Sequence, residues 1–205
     1  MPTLGELKSE IASDLVRKDL GAEIDRACIA AHRFYRARRL RFNEARTVMN
    51  TAIGQGVYGV SSGLPADILE IDSISVDESG WRRLLCQAGS DEIEAMDSPN
   101  STHSVPDVWS IRGEELRLWP VPNKAYPLTI FYLQDLPLPA DGASNAWTNQ
   151  AGDLIKAHAK RIIARDKLRD FEYAASQASA EAEALSILVS ESGMQQSTGR
   201  IRGGW

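Results

Sequence analysis

An α+β fold is predicted, made of an N-terminal helical hairpin, a central antiparallel β region, two C-terminal helices and an extended C-terminal tail. Three observations predict it. Apolar residues recur at helical spacing before residue 43 and again after residue 146. Between these segments the period falls to two, most clearly in Trp109–Tyr132, which reads as two strands joined by a turn and then a third strand. After Gly193 the stretch MQQSTGRIRGGW has no period and cannot fold alone. The expected divisions are the helical hairpin 1–43, the β region 44–139, the helical pair 146–192 and the extended tail 193–205, one compact α+β domain overall.

The first helix is announced by Thr3 and Glu6, the spacing of a capping box, followed by Leu4, Leu7, Ile11 and Leu15. It is expected to stop near Gly21, since glycine accepts the left-handed conformation that ends helices. A second helix places Ile24, Cys28, Ala31 and Tyr35 on one face and ends in Arg33, Arg36, Arg38, Arg39 and Arg41. Positive charge there complements the helix dipole.

From Ala45 the pattern turns extended. Thr47–Ala52 and Val57–Val60, joined by Gly54-Gln55-Gly56, are expected to form a hairpin, and Leu69–Val76 a strand whose two-residue phase slips once, the mark of a bulge. Arg82–Cys86 suits a further strand, Asp91–Met96 a short helix, and Ser98–Ser104 a polar loop. The strands Val108–Arg112, Leu116–Trp119 and Leu128–Leu133 follow, with Trp119 expected to lock the hairpin of the first two. After Pro137 and Pro139, a linker through Asn145 leads to one helix carrying Leu154, Ile155, Ala159, Ile162, Ile163 and Leu168. A second has an apolar stripe of Phe171, Ala174, Ala175, Ala178, Ala182, Leu185 and Val189. A narrow alanine-rich stripe suits close packing, including contacts between subunits.

With 205 residues, 43% hydrophobic and 25% charged, the chain has the composition of an ordinary globular protein. Its net charge of −5 argues against a protein that grips nucleic acid through overall positive charge. MPTLGELKSE lacks the basic start and apolar run of a signal peptide, and no apolar run is long enough for a membrane span, so synthesis in the cytoplasm is expected. Cys28 and Cys86 stand far apart and read as small buried hydrophobes. His32, His103 and His158 have no ligand spacing, so no metal or cofactor is expected.

Two short motifs bear on chemistry. Gly54-Gln55-Gly56-Val57-Tyr58-Gly59 spells GxGxxG, but β-prone residues follow where a dinucleotide site needs a helix. Gly59-Val60-Ser61-Ser62-Gly63 spells the GxSxG of a nucleophile elbow, with His103 and His158 the histidines downstream. A serine hydrolase using Ser61 is therefore one alternative, and a DNA-binding accessory factor using the second-helix arginines is another; the leading expectation is a chain without catalytic residues.

Gly54-Gln55 followed by Tyr58, then LPADILEIDSI from Leu64 to Ile74, LRLWPVP from Leu116 to Pro122, a tyrosine-bearing strand and Leu136-Pro137 stand in that order. Together they resemble the tailed-phage head-to-tail adaptor proteins over roughly residues 4 to 190. The resemblance implies a structural protein of the virion's head–tail junction, a ring of commonly twelve copies. It would dock on the portal protein and meet the next tail or stopper component, with genomic DNA passing through the lumen without sequence-specific binding. On that reading Arg200, Ile201, Arg202 and Trp205 are the expected portal-interface residues, the arginines pairing with acidic groups and the apolar pair acting as anchors.

Overall fold

The computed structural model describes residues 1–17, 19–96 and 103–198. In chain order the elements are α1 (Leu4–Asp14), α2 (Gly21–Tyr35), β1 (Glu44–Asn50), β2 (Val57–Tyr58), β3 (Ile68–Glu78), β4 (Trp81–Leu84), β5 (Cys86–Gln87) and α3 (Ser90–Met96). Then come β6 (His103–Ser104), β7 (Val108–Arg112), β8 (Glu115–Trp119), β9 (Val121–Pro122), β10 (Pro127–Gln134), α4 (Ala146–Gln150), α5 (Gly152–Ile163) and α6 (Phe171–Thr198). Helices at both ends of the chain enclose a strand-rich middle, as the α+β expectation requires. The chain divides into two compact units, a helical one formed by Met1–Asn43 with Leu136–Trp205 and a β-rich one formed by Glu44–Asp135.

In the helical unit, α1 begins with the anticipated capping box: Glu6 N–H donates to Thr3 Oγ1 at 3.2 Å and Thr3 N–H to Glu6 Oε2 at 2.8 Å. It ends well before Gly21, at Asp14, and Val16 takes the left-handed conformation with φ 52°. The early stop lets the chain reverse so that Leu15 and Leu20 both enter the core, and Gly21 opens α2 rather than closing α1. The core joins Ile11, Ile24, Cys28, Trp147, Leu154 and Ile155. Burial pushes the Cys28 thiol up to about 11, so it behaves as a small apolar group. Cys86, expected to be buried, is exposed. Lys156 and Lys160, one turn apart on α5, reach Glu10 at 2.8 Å and Asp14 at 2.9 Å, one turn apart on α1. Such partly exposed pairs fix register more than they add stability.

Gly5 marks the tightest approach in this unit. Its N–H donates to the Asp141 carbonyl at 2.8 Å, and a Cβ placed on it would lie 2.9 Å from that same oxygen. Replacing Gly5 with Ala must push two backbone segments apart and is expected to cost about 1–3 kcal/mol, read as a lower denaturation midpoint.

The expected helix from Leu154 to Leu168 breaks into α5 and a π-helical turn, Ala164–Leu168, closed by Arg169 at φ 56°. α6 then runs through Gly193 to Thr198, so the extended tail expected from residue 193 starts no earlier than residue 199. A single glycine costs a helix only about 1 kcal/mol, and the following Met194, Gln195 and Gln196 are good helix formers.

In the β-rich unit, one sheet has the order β1-β10-β3-β4 and another β2-β8-β7-β5. They share one core, to which the first contributes Ile74, Leu128 and Ile130 and the second Tyr58, Trp109 and Leu116. The expected hairpin between residues 47–52 and 57–60 does not form, because β1 pairs with β10 and β2 with β8. For the same reason Trp109–Tyr132 is divided, β7 and β8 in one sheet and β10 in the other. The anticipated bulge is present: Phe131 faces Ser73 while Tyr132 faces Ile71, the register skipping Asp72. The expected strand 82–86 also splits, with buried Leu85 between β4 of one sheet and β5 of the other. Trp109, 2% exposed, fills the core beneath the β7–β8 hairpin, whereas Trp119, given that role from the sequence, is half-buried.

Candidate functional site

A cluster of four polar side chains ties α2, α5 and α6 together. Glu181 of α6 is 8% exposed and sits where sequence periodicity alone would put an apolar residue. The Tyr35 hydroxyl donates to its Oε1, His158 Nδ1 lies 2.8 Å from the same oxygen, and Arg161 Nε donates to Oε2 at 2.5 Å. Burial alone would raise the Glu181 carboxyl's pKa; the bonds from Tyr35, His158 and Arg161 outweigh it and hold it below the ordinary carboxylate value. Burial, with the Glu181 contact second, drives the Tyr35 hydroxyl well above its usual range. Phe34 covers the His158 ring at 5.3 Å between centroids. A carboxylate saturated by three donors is a fixing point rather than a proton carrier.

With α6 anchored through Glu181, its buried line runs Ala174, Glu181 and Leu188. Most of the apolar stripe read from the sequence is thereby turned outward. Ala174 is buried and Leu185 half-buried, but Ala175, Ala178 and Ala182 are exposed, Phe171 is 69% exposed and Val189 45%. The physical reason is the strength of the buried ion pair: a charged side chain with three donors decides the rotation of a helix whose alanines give little burial in any direction.

On α2 the helix ends at Tyr35, so of the five arginines only Arg33 lies within it. Arg36 caps the helix, and Arg41 lies in the short turn Arg41–Asn43, its guanidinium donating to Gln150 Oε1 at 3.2 Å. All five are exposed. Between Arg26 and Arg33, the side chains of Ile29, Ala30 and Phe34 line an open depression of about 630 Å³.

The two chemical motifs take shapes other than those their chemistry needs. Ser61 sits in a short 3-10 turn, Val60–Ser62, followed by Gly63 at φ 95° and then β3, so no helix follows the serine as an elbow requires. Gly54 turns the chain at φ 74° into β2, and Gln55 Nε2 donates to the Val57 carbonyl at 2.8 Å and to Ser62 Oγ at 3.1 Å. The GxGxxG stretch is thus a knot of local bonds, with no helix N-terminus for a pyrophosphate. His103 lies in β6, and His158 is committed to Glu181. Among the described residues, no group of His, Cys, Asp and Glu has the arrangement of a metal site, and no helix is long and apolar enough to cross a membrane. The expected portal-interface residues Arg200, Ile201, Arg202 and Trp205 lie outside the described residues.

Glu181 could have been suspected from sequence only through its position, ten residues after Phe171 and in phase with Ala174 and Leu188, since nothing adjacent marks it. Among curated proteins none matches the chain. A family model described as SU10 adaptor protein matches residues 2–203, spanning the helices, the sheets and most of the C-terminal stretch, and the chain therefore belongs to this family of phage head-to-tail adaptors.

Proposed function

We propose that this phage structural adaptor forms a ring, docks on the portal protein with the segment that follows α6, and passes the junction on to the next tail component with genomic DNA running through the lumen. The observation that carries the reading is the family match over residues 2–203. The long α6 supports it: anchored at Glu181 and Leu188, it continues to Thr198, and Arg200, Ile201, Arg202 and Trp205 follow it in the sequence. Two guanidinium groups flanking an apolar side chain suit a partner surface with acidic rims and an apolar pocket, and the tryptophan suits an anchor. The acidic balance of −5 per copy suits a lumen that repels passing DNA rather than holding it.

Deleting residues 199–205 removes all four side chains and leaves α6 whole. The truncated protein is expected to keep its circular dichroism spectrum and denaturation midpoint but lose binding to purified portal rings by 100-fold or more, on the order of 3 kcal/mol for an aromatic anchor with charged neighbours. Undiminished portal binding by the truncated chain would show that docking resides elsewhere.

A further inference from the structure

Two faces of the helical unit leave apolar and charged side chains exposed. On α2, Ile29 is 45% and Phe34 61% exposed around the depression, and Arg33 makes no hydrogen bond or ion pair among the described residues. On α6, exposed Phe171, Ala175, Ala178, Ala182 and Val189 form one line about 27 Å long at 1.5 Å per residue. Glu172 and Glu183, eleven residues and so about three turns apart, lie together on one flank of that line. Neither makes an ion pair among the described residues. Tyr35 and Glu181 join the two helices with both faces outward, so within one chain they do not cover each other.

We propose that the outward face of α6 in one copy packs on the outward face of α2 in a second copy, which names the subunit contact of the ring and rests on that reading. Phe171 and the alanines bring a narrow apolar line to the depression between Ile29 and Phe34, and the flanking glutamates meet Arg33. The charge distribution selects this arrangement over its symmetric rivals. Two α2 faces would oppose arginine to arginine and two α6 faces glutamate to glutamate, whereas α6 on α2 pairs opposite signs. The pair then retains one free face of each kind, α2 on one copy and α6 on the other, so the contact repeats head to tail and closes into a ring when its rotation permits. An exposed alanine line would let the facing helices approach closely.

The test uses sedimentation velocity of the full chain up to about 1 mM, a range that captures weak association. The wild type is expected to gain mass with concentration. Arg33→Glu and Glu183→Arg should each weaken that association about 10-fold or more, because each places like charges face to face. An equimolar mixture of the two variants should recover it, since alternating copies restore one pair of swapped charges and one pair of native ones. A wild type that stays monomeric throughout overturns the proposal. So do single reversals without effect, a mixture that fails to recover, or an Arg33→Glu variant that loses only affinity for duplex DNA. Portal binding separates the two readings: variants that still load complete rings on portals refute this contact and leave the adaptor role intact, whereas self-association through these faces without portal binding supports the contact and refutes the docking role.

Discussion

Trp147→Ala is expected to remove about 3–5 kcal/mol from the helical unit, much of the 5–15 kcal/mol that holds a typical domain folded. Trp147 is fully buried, and its indole N–H donates to the Leu136 carbonyl at 2.7 Å. The same carbonyl lies 2.9 Å from His32 Nε2, so one oxygen joins α2, α4 and the start of the segment leaving β10. Edge-on contacts with Phe42, at 4.9 Å, and His32, at 5.2 Å, complete the packing. Removing the ring opens a large cavity and leaves that carbonyl with one donor fewer, two separate costs. Trp147→Phe keeps most of the volume and loses the N–H, so a smaller loss, about 1–2 kcal/mol, separates the hydrogen bond from the packing. Urea denaturation followed by far-ultraviolet circular dichroism measures both; a loss under about 1 kcal/mol for the alanine variant would mean that the unit collapses onto the cavity.

The helical ends of the chain were legible because their periods are long enough to outvote local noise. Thr3 and Glu6 announced α1, and Ile24, Cys28, Ala31 and Tyr35 gave the buried face of α2 correctly. The bulge in β3 was likewise written in the slip between Ile71 and Ile74. Strand pairing was not legible, because alternation tells which residues share a face but not which strand lies alongside. Hence Val57–Tyr58 was assigned to its sequence neighbour when its partner is Leu116–Arg117. Trp147 escaped notice because α4 is only five residues long, too short for any period to register. Its Asn145 cap, which accepts from Trp147 N–H at 2.9 Å, lies in what composition presented as a linker. The rotation of α6 is not legible for a different reason. Hydrophobicity favoured the alanine line by number, and only the three-dimensional meeting of Tyr35, His158 and Arg161 makes Glu181 the inward residue. The adaptor family was legible through the order of short words along the chain, none of which carries chemistry. For that reason the outward faces of α2 and α6 had to be read from exposure and charge.

Glu181→Ala is expected to destabilise the helical unit by about 3 kcal/mol or more, because it strands Arg161 and His158 in a largely buried site and leaves the Tyr35 hydroxyl without its acceptor. Glu181→Gln keeps the shape and one acceptor oxygen and removes only the charge, so it isolates the electrostatic part, and the pH dependence follows from the direction of the shift. The folded-state pKa of Glu181 lies below its ordinary value of 4.5, so the unfolded chain binds this proton more readily than the folded one. The stabilisation is therefore whole above about pH 4.5 and drains away as pH falls through the lower folded-state value. The other carboxylates held low, such as Asp19, Glu23 and Asp166, titrate equally in both proteins, so subtracting the Glu181→Gln curve from the wild type cancels them. Denaturation midpoints from pH 7 to pH 3 should give a difference that is flat at first and shrinks in the acid range. If the difference instead stays constant to pH 3, the Glu181 carboxyl titrates alike in the folded and unfolded chain and its charge adds no net stability; if it grows as the pH falls, Glu181 is neutral in the folded protein and acts through its shape. If it shrinks, acid loosens α6 at its anchor, and with it the outward face proposed to meet the next copy.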